Sequence, residues 1–335
     1  MKQLLKLSAA SLLVVGALSV QASTLGDVQA KGYVSCGVSK GLAGFSSADS
    51  SGTWTGVDVD VCRAVAAATL GDAQKVKFVP LTAKERFTAL QSGEIDMLSR
   101  NTTWTITRDA SLGLNFAGVN YYDGQGFMVK SSLGVSSAME LSGAAVCIQA
   151  GTTTELNLAD WGKANGIESN SVVSDTNAQT LTNYDAGRCD VLTTDASGLY
   201  SMRAAASDPS EHVVLPEIIS KEPLGPVVRQ GDDQWFNIVR WSLNAMITAE
   251  ELGVTSATVD DVSNNPERER LMGRSGSTHE YVGLTPDWTY QIVKQVGNYS
   301  ESFERNIGIN TPIGIARGVN ALWTDGGILY SPPFR

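Results

Sequence analysis

Residues that bind metals or act as general bases are scarce in this sequence. Its 335 residues include two histidines, His212 and His279, and four cysteines that lie far apart along the chain. A zinc site draws its ligands from histidine and cysteine at short spacings, so we expect no metal site and no cofactor. The H-E-x-x-H, P-loop and G-x-G-x-x-G motifs are missing as well, which argues against a metalloprotease and against the common nucleotide-binding enzymes.

Basic residues are outnumbered, and long apolar runs are few. Lysine and arginine total 25 against 35 acidic residues, which gives a formal net charge of -10. An acidic surface repels nucleic acid and anionic lipid, so neither is expected as a partner. Beyond the first residues, no segment approaches the run of about eighteen apolar residues that a membrane helix needs. The sequence therefore predicts no stable membrane insertion.

The N-terminus has the pattern of a secretory signal peptide. Lys2 and Lys6 precede the apolar run 12–18, and Val20 and Ala22 supply the small residues of a cleavage site. We expect cleavage after Ala22, which removes two lysines and moves the formal charge from -10 to -12. A helix that belongs to the fold is the alternative, but the segment has no polar face. No cysteine follows directly, so we expect a soluble chain in the periplasm of a Gram-negative bacterium, without a lipid anchor.

The four cysteines are expected to pair in an oxidising compartment. Spacing alone permits three connectivities. The pattern of elements places Cys36 on a first strand and Cys62 on a first helix, with Cys147 and Cys189 on two strands of a later block. The simplest prediction pairs Cys36 with Cys62 and Cys147 with Cys189.

Short apolar runs alternate with longer helical patterns from residue 32 onward. In the first block, strands are predicted at 33–39, 76–81 and 95–98, and helices at 59–70 and 84–91. Strands separated by helices of this length indicate parallel pairing through crossover helices, and therefore an open α/β sheet.

A second block repeats this plan and predicts a second lobe. Its strands are predicted at 144–149, 171–174 and 189–194, and its helices at 153–163, 178–186 and 198–206. Extended segments on either side of the block predict two crossing strands that act as a hinge, and a long helix at 235–250 returns the chain to the first lobe. The predicted divisions are 1–22 signal peptide, 23–127 lobe 1, 128–222 inserted lobe 2, and 223–335 return to lobe 1 with a C-terminal helical extension.

Polar side chains follow three predicted strands, at the edge where open α/β sheets bind ligands. They are Arg100, Asn101, Thr103 and Arg108 after the first, Thr152 and Thr153 after the second, and Asp195 after the third. A guanidinium group can grip a carboxylate with two hydrogen bonds, and a helix N-terminus offers further donors. An aspartate opposite them can accept an ammonium group. The cluster therefore predicts a pocket for the α-carboxylate and α-ammonium groups of an amino acid.

Each of these residues also has a purely structural explanation. Thr152, Thr153 and Asp195 belong to residue types that cap helices. Arg108 could lie on a solvated helix face, and Arg100 could be buried against a core carboxylate. Their shared position at strand ends is what favours a ligand site.

Several longer stretches resemble the periplasmic solute-binding proteins of polar amino-acid ABC transporters, and most closely the general L-amino-acid-binding branch. These stretches are GVDVDVCRAVAAATLG, ERFTALQSGEIDMLSRNTTWTITRD, CIQAGTTTELNLADW, YDAGRCDVLTTD and GVNALWTDGGILYSPPFR. The resemblance implies the flytrap fold of periplasmic binding proteins, with two mostly parallel α/β lobes that close on the ligand. It further implies a monomer that binds L-amino acids broadly and delivers them to an ABC transporter permease.

The resemblance also implies roles for matching residues. Arg108 matches the arginine that binds the ligand α-carboxylate, and Thr103 matches a hydroxyl residue whose backbone assists it. Thr153, with Thr152 beside it, matches the second-lobe residue that donates to the same carboxylate. Asp195 matches the acid that receives the α-ammonium group.

Three positions depart from the pattern of the relatives. Asn101 replaces a serine that often assists the ammonium-binding acid. Leu42 stands where many relatives have an aromatic residue that covers the ligand. Arg100 replaces a small hydroxyl residue. Near the ligand side chain, Arg100 would favour acidic or amide substrates, whereas turned outward it would leave room for many.

Three other functions stay open at the level of sequence. A ligand-binding module of a chemoreceptor or sensor would have the same pocket. Some proteins of this fold are lyases that act on amino-acid-like substrates, but the shortage of histidine removes the commonest general base, so we expect no enzyme. A sugar-binding protein could use the seven tryptophans as stacking platforms, yet an uncharged sugar would not require Arg108 opposite Asp195.

Overall fold

The structure is a computed structural model that describes residues 23–261 and 265–335, so the predicted signal peptide lies outside the described residues. In chain order, the strands are β1 (Val34–Ser39), β2 (Ser47–Ala48), β3 (Trp54–Thr55), β4 (Val76–Leu81), β5 (Met97–Leu98), β6 (Leu114–Phe116), β7 (Tyr121–Asp123), β8 (Gln125–Lys130), β9 (Ala145–Gln149), β10 (Asn170–Ser174), β11 (Val191–Asp195), β12 (His212–Val214), β13 (Glu222–Leu224) and β14 (Val227–Arg229). The α-helices are α1 (Thr24–Lys31), α2 (Val57–Leu70), α3 (Arg86–Gln91), α4 (Ile106–Ser111), α5 (Thr153–Asn165), α6 (Asn177–Asp185), α7 (Ala196–Ala205), α8 (Asp233–Glu251), α9 (Pro266–Leu271), α10 (Thr278–Val282), α11 (Trp288–Val296) and α12 (Tyr299–Asn306).

The first lobe is built on a five-stranded sheet of order β4-β1-β5-β14-β6. Strand β1 runs parallel to β4 and β5, whereas β14, which returns from the second lobe, runs antiparallel to β5 and β6. All six residues of β1 are buried. Helix α2 ends at Leu70 and is followed by Gly71, whose φ of 66° is the left-handed conformation that glycine adopts without a Cβ clash.

The second lobe has a five-stranded sheet of order β10-β9-β11-β8-β12. Strands β9, β10 and β11 are parallel to one another, and β8 is antiparallel to both β11 and β12. The strands that alternate with helices are therefore the parallel ones, and the antiparallel strands bring the chain into the lobe and out of it. The predicted α/β class with two sheets is confirmed.

The two connections between the lobes form a two-stranded antiparallel sheet of β7 and β13. In this sheet Asp123 pairs with Glu222, and Tyr121 pairs with Leu224. Strand β8, which the predicted boundary at 127/128 divides, lies wholly in the second sheet. The first connection is therefore β7, a few residues before that boundary. The apolar pattern of β8 predicts a strand but does not indicate which sheet the strand joins.

The C-terminal extension packs on the first lobe. Trp288 and Ile292 of α11 and Phe303 of α12 lie in one hydrophobic core with Val61 of α2 and Leu243 of α8. The extension thus adds a layer to the first lobe. None of the described helices is long and apolar enough to cross a membrane.

Both predicted disulfides are present. Cys36 of β1 is bonded to Cys62 of α2, and Cys147 of β9 is bonded to Cys189 just before β11. The Cα–Cα distances are 6.1 Å and 5.6 Å, and the described residues include no free cysteine. Each bridge stays within one lobe, so the bridges stabilise the lobes without restricting movement between them.

Removing the second-lobe bridge is expected to destabilise the protein. The double substitution Cys147→Ala and Cys189→Ala releases a link that spans 42 residues of sequence. The lost constraint on the unfolded chain predicts a fall of about 4 kcal/mol in the free energy of unfolding. Urea unfolding followed by circular dichroism measures the change. A fall of less than about 1 kcal/mol would contradict this role of the bridge.

Candidate functional site

The loop after β5 is held by a buried carboxylate. Asp58, at the start of α2, accepts hydrogen bonds from Asn101 N at 2.6 Å, Asn120 Nδ2 at 2.9 Å and Ser99 Oγ at 3.3 Å. Burial raises the pKa of Asp58, and these hydrogen bonds oppose the rise. Asn101 has a φ of 31°, in the left-handed region that asparagine tolerates better than most residues. Its Oδ1 is buried without a hydrogen-bond partner in the described part of the chain.

Arg100 belongs to this loop and is 2% exposed. Its Nε donates to Leu81 O at 3.0 Å. Burial lowers the pKa of Arg100 to about 10, an effect that Asp58 opposes. Arg108 and Asp195 also act on Arg100 electrostatically, so this guanidinium belongs to the charged cluster between the lobes and does not face outward.

Arg108 is the buried arginine of the short helix α4. Thr105 caps this helix and accepts from Arg108 N at 3.3 Å. The guanidinium donates from Nη1 to Thr103 O at 2.9 Å and lies 5.3 Å from the ring centroid of Phe87. Burial lowers the pKa of Arg108, whereas the nearby Glu222 and Asp195 carboxylates raise it. Arg108 is therefore fixed by one carbonyl and one aromatic ring, and it faces two acids.

The start of α5 offers backbone donors from the second lobe. Thr152 occupies the capping position, but its hydroxyl donates back to Gln149 O at 2.8 Å and does not cap the helix. In the part of the chain that the structure describes, no side-chain hydrogen bond caps α5 at this position. Thr153, the first helical residue, has its Oγ1 3.4 Å from Thr103 Oγ1 of the first lobe. The N–H groups of the first turn therefore face the lobe interface and can bind an anion.

Asp195 ends β11 and stands at the capping position of α7 without making a capping hydrogen bond. It is 7% exposed. Burial raises the pKa of Asp195 well above its usual range, and the neighbouring Asp123 and Glu222 carboxylates raise it further. Asn101 and Arg86 oppose this rise from the first lobe. A cationic ligand group beside Asp195 would stabilise its ionised form.

Further contacts hold the lobes together in a closed arrangement. Ser201 Oγ donates to Ala43 O at 2.8 Å, Asn177 Nδ2 donates to Gly41 O at 3.3 Å, and Lys84 forms an exposed ion pair with Asp175 at 2.8 Å. Leu42 is 6% exposed and packs in the core of the first lobe. It also lines a cleft with Leu181 and Met202 of the second lobe. Leu42 thus lies at the lobe interface, beside the contacts of Gly41 and Ala43.

Two charged residues of the interface were missed by sequence reasoning. Arg86, the first residue of α3, is 2% exposed and donates from Nη2 to Gly151 O across the cleft at 3.4 Å. Its Nε is buried without a hydrogen-bond partner among residues 23–261 and 265–335. Burial lowers the pKa of Arg86 strongly, and so do the like charges of Arg108 and Arg100. The sequence showed Arg86 only as part of an amphipathic helix.

The second missed residue is Glu222 on the connecting strand β13. It is 1% exposed and accepts hydrogen bonds from side chains of both lobes. Its signal in the sequence is an acid that follows Lys221 and begins the short strand β13, whose other residues are Pro223 and Leu224.

The structure therefore brings most of the predicted residues together between the lobes. Asn101, Thr103 and Arg108 come from the first lobe, and Thr153 and Asp195 come from the second. Arg100 of the same loop interacts electrostatically with Arg108 and Asp195, Thr152 lies at the start of α5, and Leu42 lies to one side. Cationic groups and acids that face each other across the interface of two hinged α/β lobes define a two-lobed ligand-binding protein.

Comparison with known proteins identifies the family. The model of bacterial extracellular solute-binding proteins, family 3, matches residues 34–258, and the chain belongs to this family. The chain is 60% identical over 330 residues to the general L-amino acid-binding periplasmic protein AapJ of Rhizobium johnstonii, covering 97% of each chain. It is 56% identical over 326 residues to the glutamate/glutamine/aspartate/asparagine-binding protein BztA of Rhodobacter capsulatus, covering 96% of each.

A solved structure is also similar over almost the full length. It is an ABC transporter periplasmic binding protein from Brucella ovis with glutathione bound. The two chains are 57% identical, with a TM-score of 0.92 over 94% of this chain and 100% of that chain. The resemblance seen in the sequence motifs and the two-lobed fold that it implied are both confirmed.

Proposed function

We propose that this protein binds free L-amino acids of several kinds in the periplasm and delivers them to the permease of an ABC transporter. The observation that carries the proposal is the placement of Arg108 and the start of α5 opposite Asp195, with both Arg108 and Asp195 buried between the lobes. The similarity to AapJ and BztA supports the same ligand class. A chemoreceptor module would have the same pocket, but these relatives favour transport.

In the proposed complex, each charge of the zwitterion has a partner. The α-carboxylate contacts Arg108 and the first-turn N–H groups of α5, and the α-ammonium group contacts Asp195 with help from Asn101. Burial of a zwitterion is costly unless both charges are paired. The partners come from different lobes, so ligand binding favours the closed form over the open one.

The remaining parts of the proposal concern export and assembly. Residues 1–22 are removed as a signal peptide, and the rest acts in the periplasm as a monomer. The inserted lobe moves about β7 and β13, and the closed form docks on the permease.

Glutathione is a second candidate ligand, because the similar structure from Brucella ovis has it bound. The γ-glutamyl residue of glutathione has a free α-carboxylate and a free α-ammonium group. Arg108 and the start of α5 would bind the carboxylate of that residue, and Asp195 would bind its ammonium group.

Titration calorimetry of ligand-free protein tests the proposal. The protein is unfolded and refolded to remove copurified ligand, and it is then titrated with the standard L-amino acids and with glutathione. We expect dissociation constants of about micromolar or below for several amino acids. Folded protein that binds none of them would contradict the proposal. Tight binding of glutathione alone would make glutathione, and not free amino acids, the ligand.

Arg86 is expected to select for ligands with an acidic or amide side chain. Its Nε is buried without a hydrogen-bond partner among the described residues and lies in the same interface as Arg100 and Arg108. In Arg86→Ala, affinity for L-glutamate and L-aspartate should fall by about tenfold or more, whereas affinity for L-alanine should change by less than about threefold. The exposed Arg188→Ala is the matched control. An equal loss for all three amino acids would contradict a selective role.

A further inference from the structure

The carboxylate of Glu222 accepts hydrogen bonds from residues of both lobes and of the connecting segment. Oε2 accepts from Thr103 Oγ1 of the first lobe and from Thr153 Oγ1 of the second lobe, the latter at 3.0 Å. Oε1 accepts from Asn157 Nδ2 of α5 at 2.6 Å and from Ser220 Oγ at 2.8 Å. Both oxygens of this buried side chain are therefore fully used within the protein.

These contacts fix the direction of two hydroxyl protons. A hydroxyl has one proton and two lone pairs, whereas an ionised carboxylate can only accept. Thr103 and Thr153 must both donate to Glu222, so neither has a proton left to donate to a ligand. Their oxygens, 3.4 Å apart across the lobe interface, offer only lone pairs.

We propose that Glu222 is a positioning residue of the ligand site. It accepts hydrogen bonds from the hydroxyl groups of Thr103 and Thr153, so that both hydroxyl oxygens are oriented to accept hydrogen bonds from the ligand α-ammonium group. This inference rests on the proposed amino-acid ligand. It leaves the α-carboxylate to the Arg108 guanidinium and to the backbone N–H groups of α5. It also gives the Thr153 hydroxyl a different role from the carboxylate donor that the family resemblance implied.

The electrostatic surroundings of Glu222 agree with this assignment. Glu222 raises the pKa of Arg108, which shows that the two charges lie close enough to interact. The pairing of Glu222 with Asp123 in the hinge sheet fixes the position of its backbone. Thr103 also forms a backbone bridge to Leu224 on the same hinge strand. The two hydroxyls are thus oriented by a side chain of the connecting strand β13, which lies between the lobes.

Titration of refolded, ligand-free protein with L-glutamine tests the proposal through two variants of Glu222. Glu222→Gln keeps one oxygen that can accept hydrogen bonds from both hydroxyl groups, so the affinity of this variant for L-glutamine should stay within about threefold of wild type. Glu222→Ala frees both hydroxyl protons, and its affinity should fall by about tenfold or more. Equal losses in the two variants would overturn the proposal, because Glu222 would then act through its charge.

A double-mutant cycle separates positioning from general structural support. Thr103→Val with Thr153→Val removes both hydroxyls at nearly constant volume, and this pair should lower the affinity for L-glutamine by about fivefold or more. Adding Glu222→Ala to the pair should cause little further loss, because residues that act through one another are not additive. Losses that multiply, or a valine pair within about twofold of wild type, would overturn the proposal.

Controls keep this test distinct from the test of the proposed function. Glu217→Ala is the matched acid, since Glu217 accepts from Ser137 Oγ within the second lobe, and it should leave binding unchanged. Thermal unfolding of each variant verifies folding, and the glutamine and valine variants decide the outcome if Glu222→Ala does not fold. Absence of L-glutamine binding in folded wild-type protein would overturn this inference, whereas the proposed function is contradicted only if none of the standard L-amino acids binds.

Discussion

Arg108→Ala is expected to lower the affinity for L-glutamine by about a hundredfold or more, because truncation leaves a buried ligand carboxylate without its counter-charge. Arg108 is 8% exposed and held by Thr103 O and the ring of Phe87. Its guanidinium is thus ordered before the ligand arrives, and little entropy is lost when it binds. Titration calorimetry measures the loss.

Arg188→Ala is the matched control for this prediction, since Arg188 is an exposed arginine of the second lobe that contacts Asn183. It should bind L-glutamine as wild type does. A loss of less than about fivefold in folded Arg108→Ala would contradict the assignment of Arg108 as the carboxylate anchor.

Asp195→Asn is expected to lower the affinity for L-glutamine by about thirtyfold or more and to remove a pH dependence from binding. In the closed arrangement of the lobes, burial and the Asp123 and Glu222 carboxylates raise the pKa of Asp195 well above its usual range. An ammonium group beside Asp195 favours the ionised form and lowers this pKa again. Ligand binding should therefore release a proton from the fraction of molecules in which Asp195 is protonated.

The sign of the pH effect follows from this linkage. The affinity should rise with pH up to the raised pKa of Asp195 in the absence of ligand. Above that pKa the affinity should be constant. Calorimetry in buffers of different ionisation enthalpy counts the released protons. Ligand binding to Asp195→Asn should release fewer protons than binding to wild type. Asp160→Asn, on the exposed face of α5, should release as many protons as wild type. Equal proton release in Asp195→Asn and wild type would contradict the assignment.

The sequence predicted the parts of the site that depend on local pattern. Alternating strands and helices placed Arg108, Thr153 and Asp195 at strand ends, and the topology of an open α/β sheet brought those ends together. The pairing of the four cysteines followed from the same order of elements, because each pair lies within one lobe.

The sequence did not predict the residues whose role depends on contact between the lobes. Arg86 has an ordinary helical context, and its hydrogen-bond partner Gly151 O lies on the other lobe. Glu222 follows a lysine in a short crossing strand, and its partners Thr103 and Thr153 lie far away in sequence. Periodicity reports which face of an element is apolar, but it does not report which lobe covers that face.

The central claim is that both charges of an amino acid are held between the lobes, and three related ligands test it most directly. Refolded, ligand-free protein is titrated with L-glutamine, with its α-amide and with N-acetyl-L-glutamine, which lack the negative and the positive charge respectively. We expect L-glutamine to bind and each analogue to bind about a hundredfold or more weakly. If the affinity for either analogue lies within about threefold of the affinity for L-glutamine, the claim that both charges are held between the lobes is contradicted.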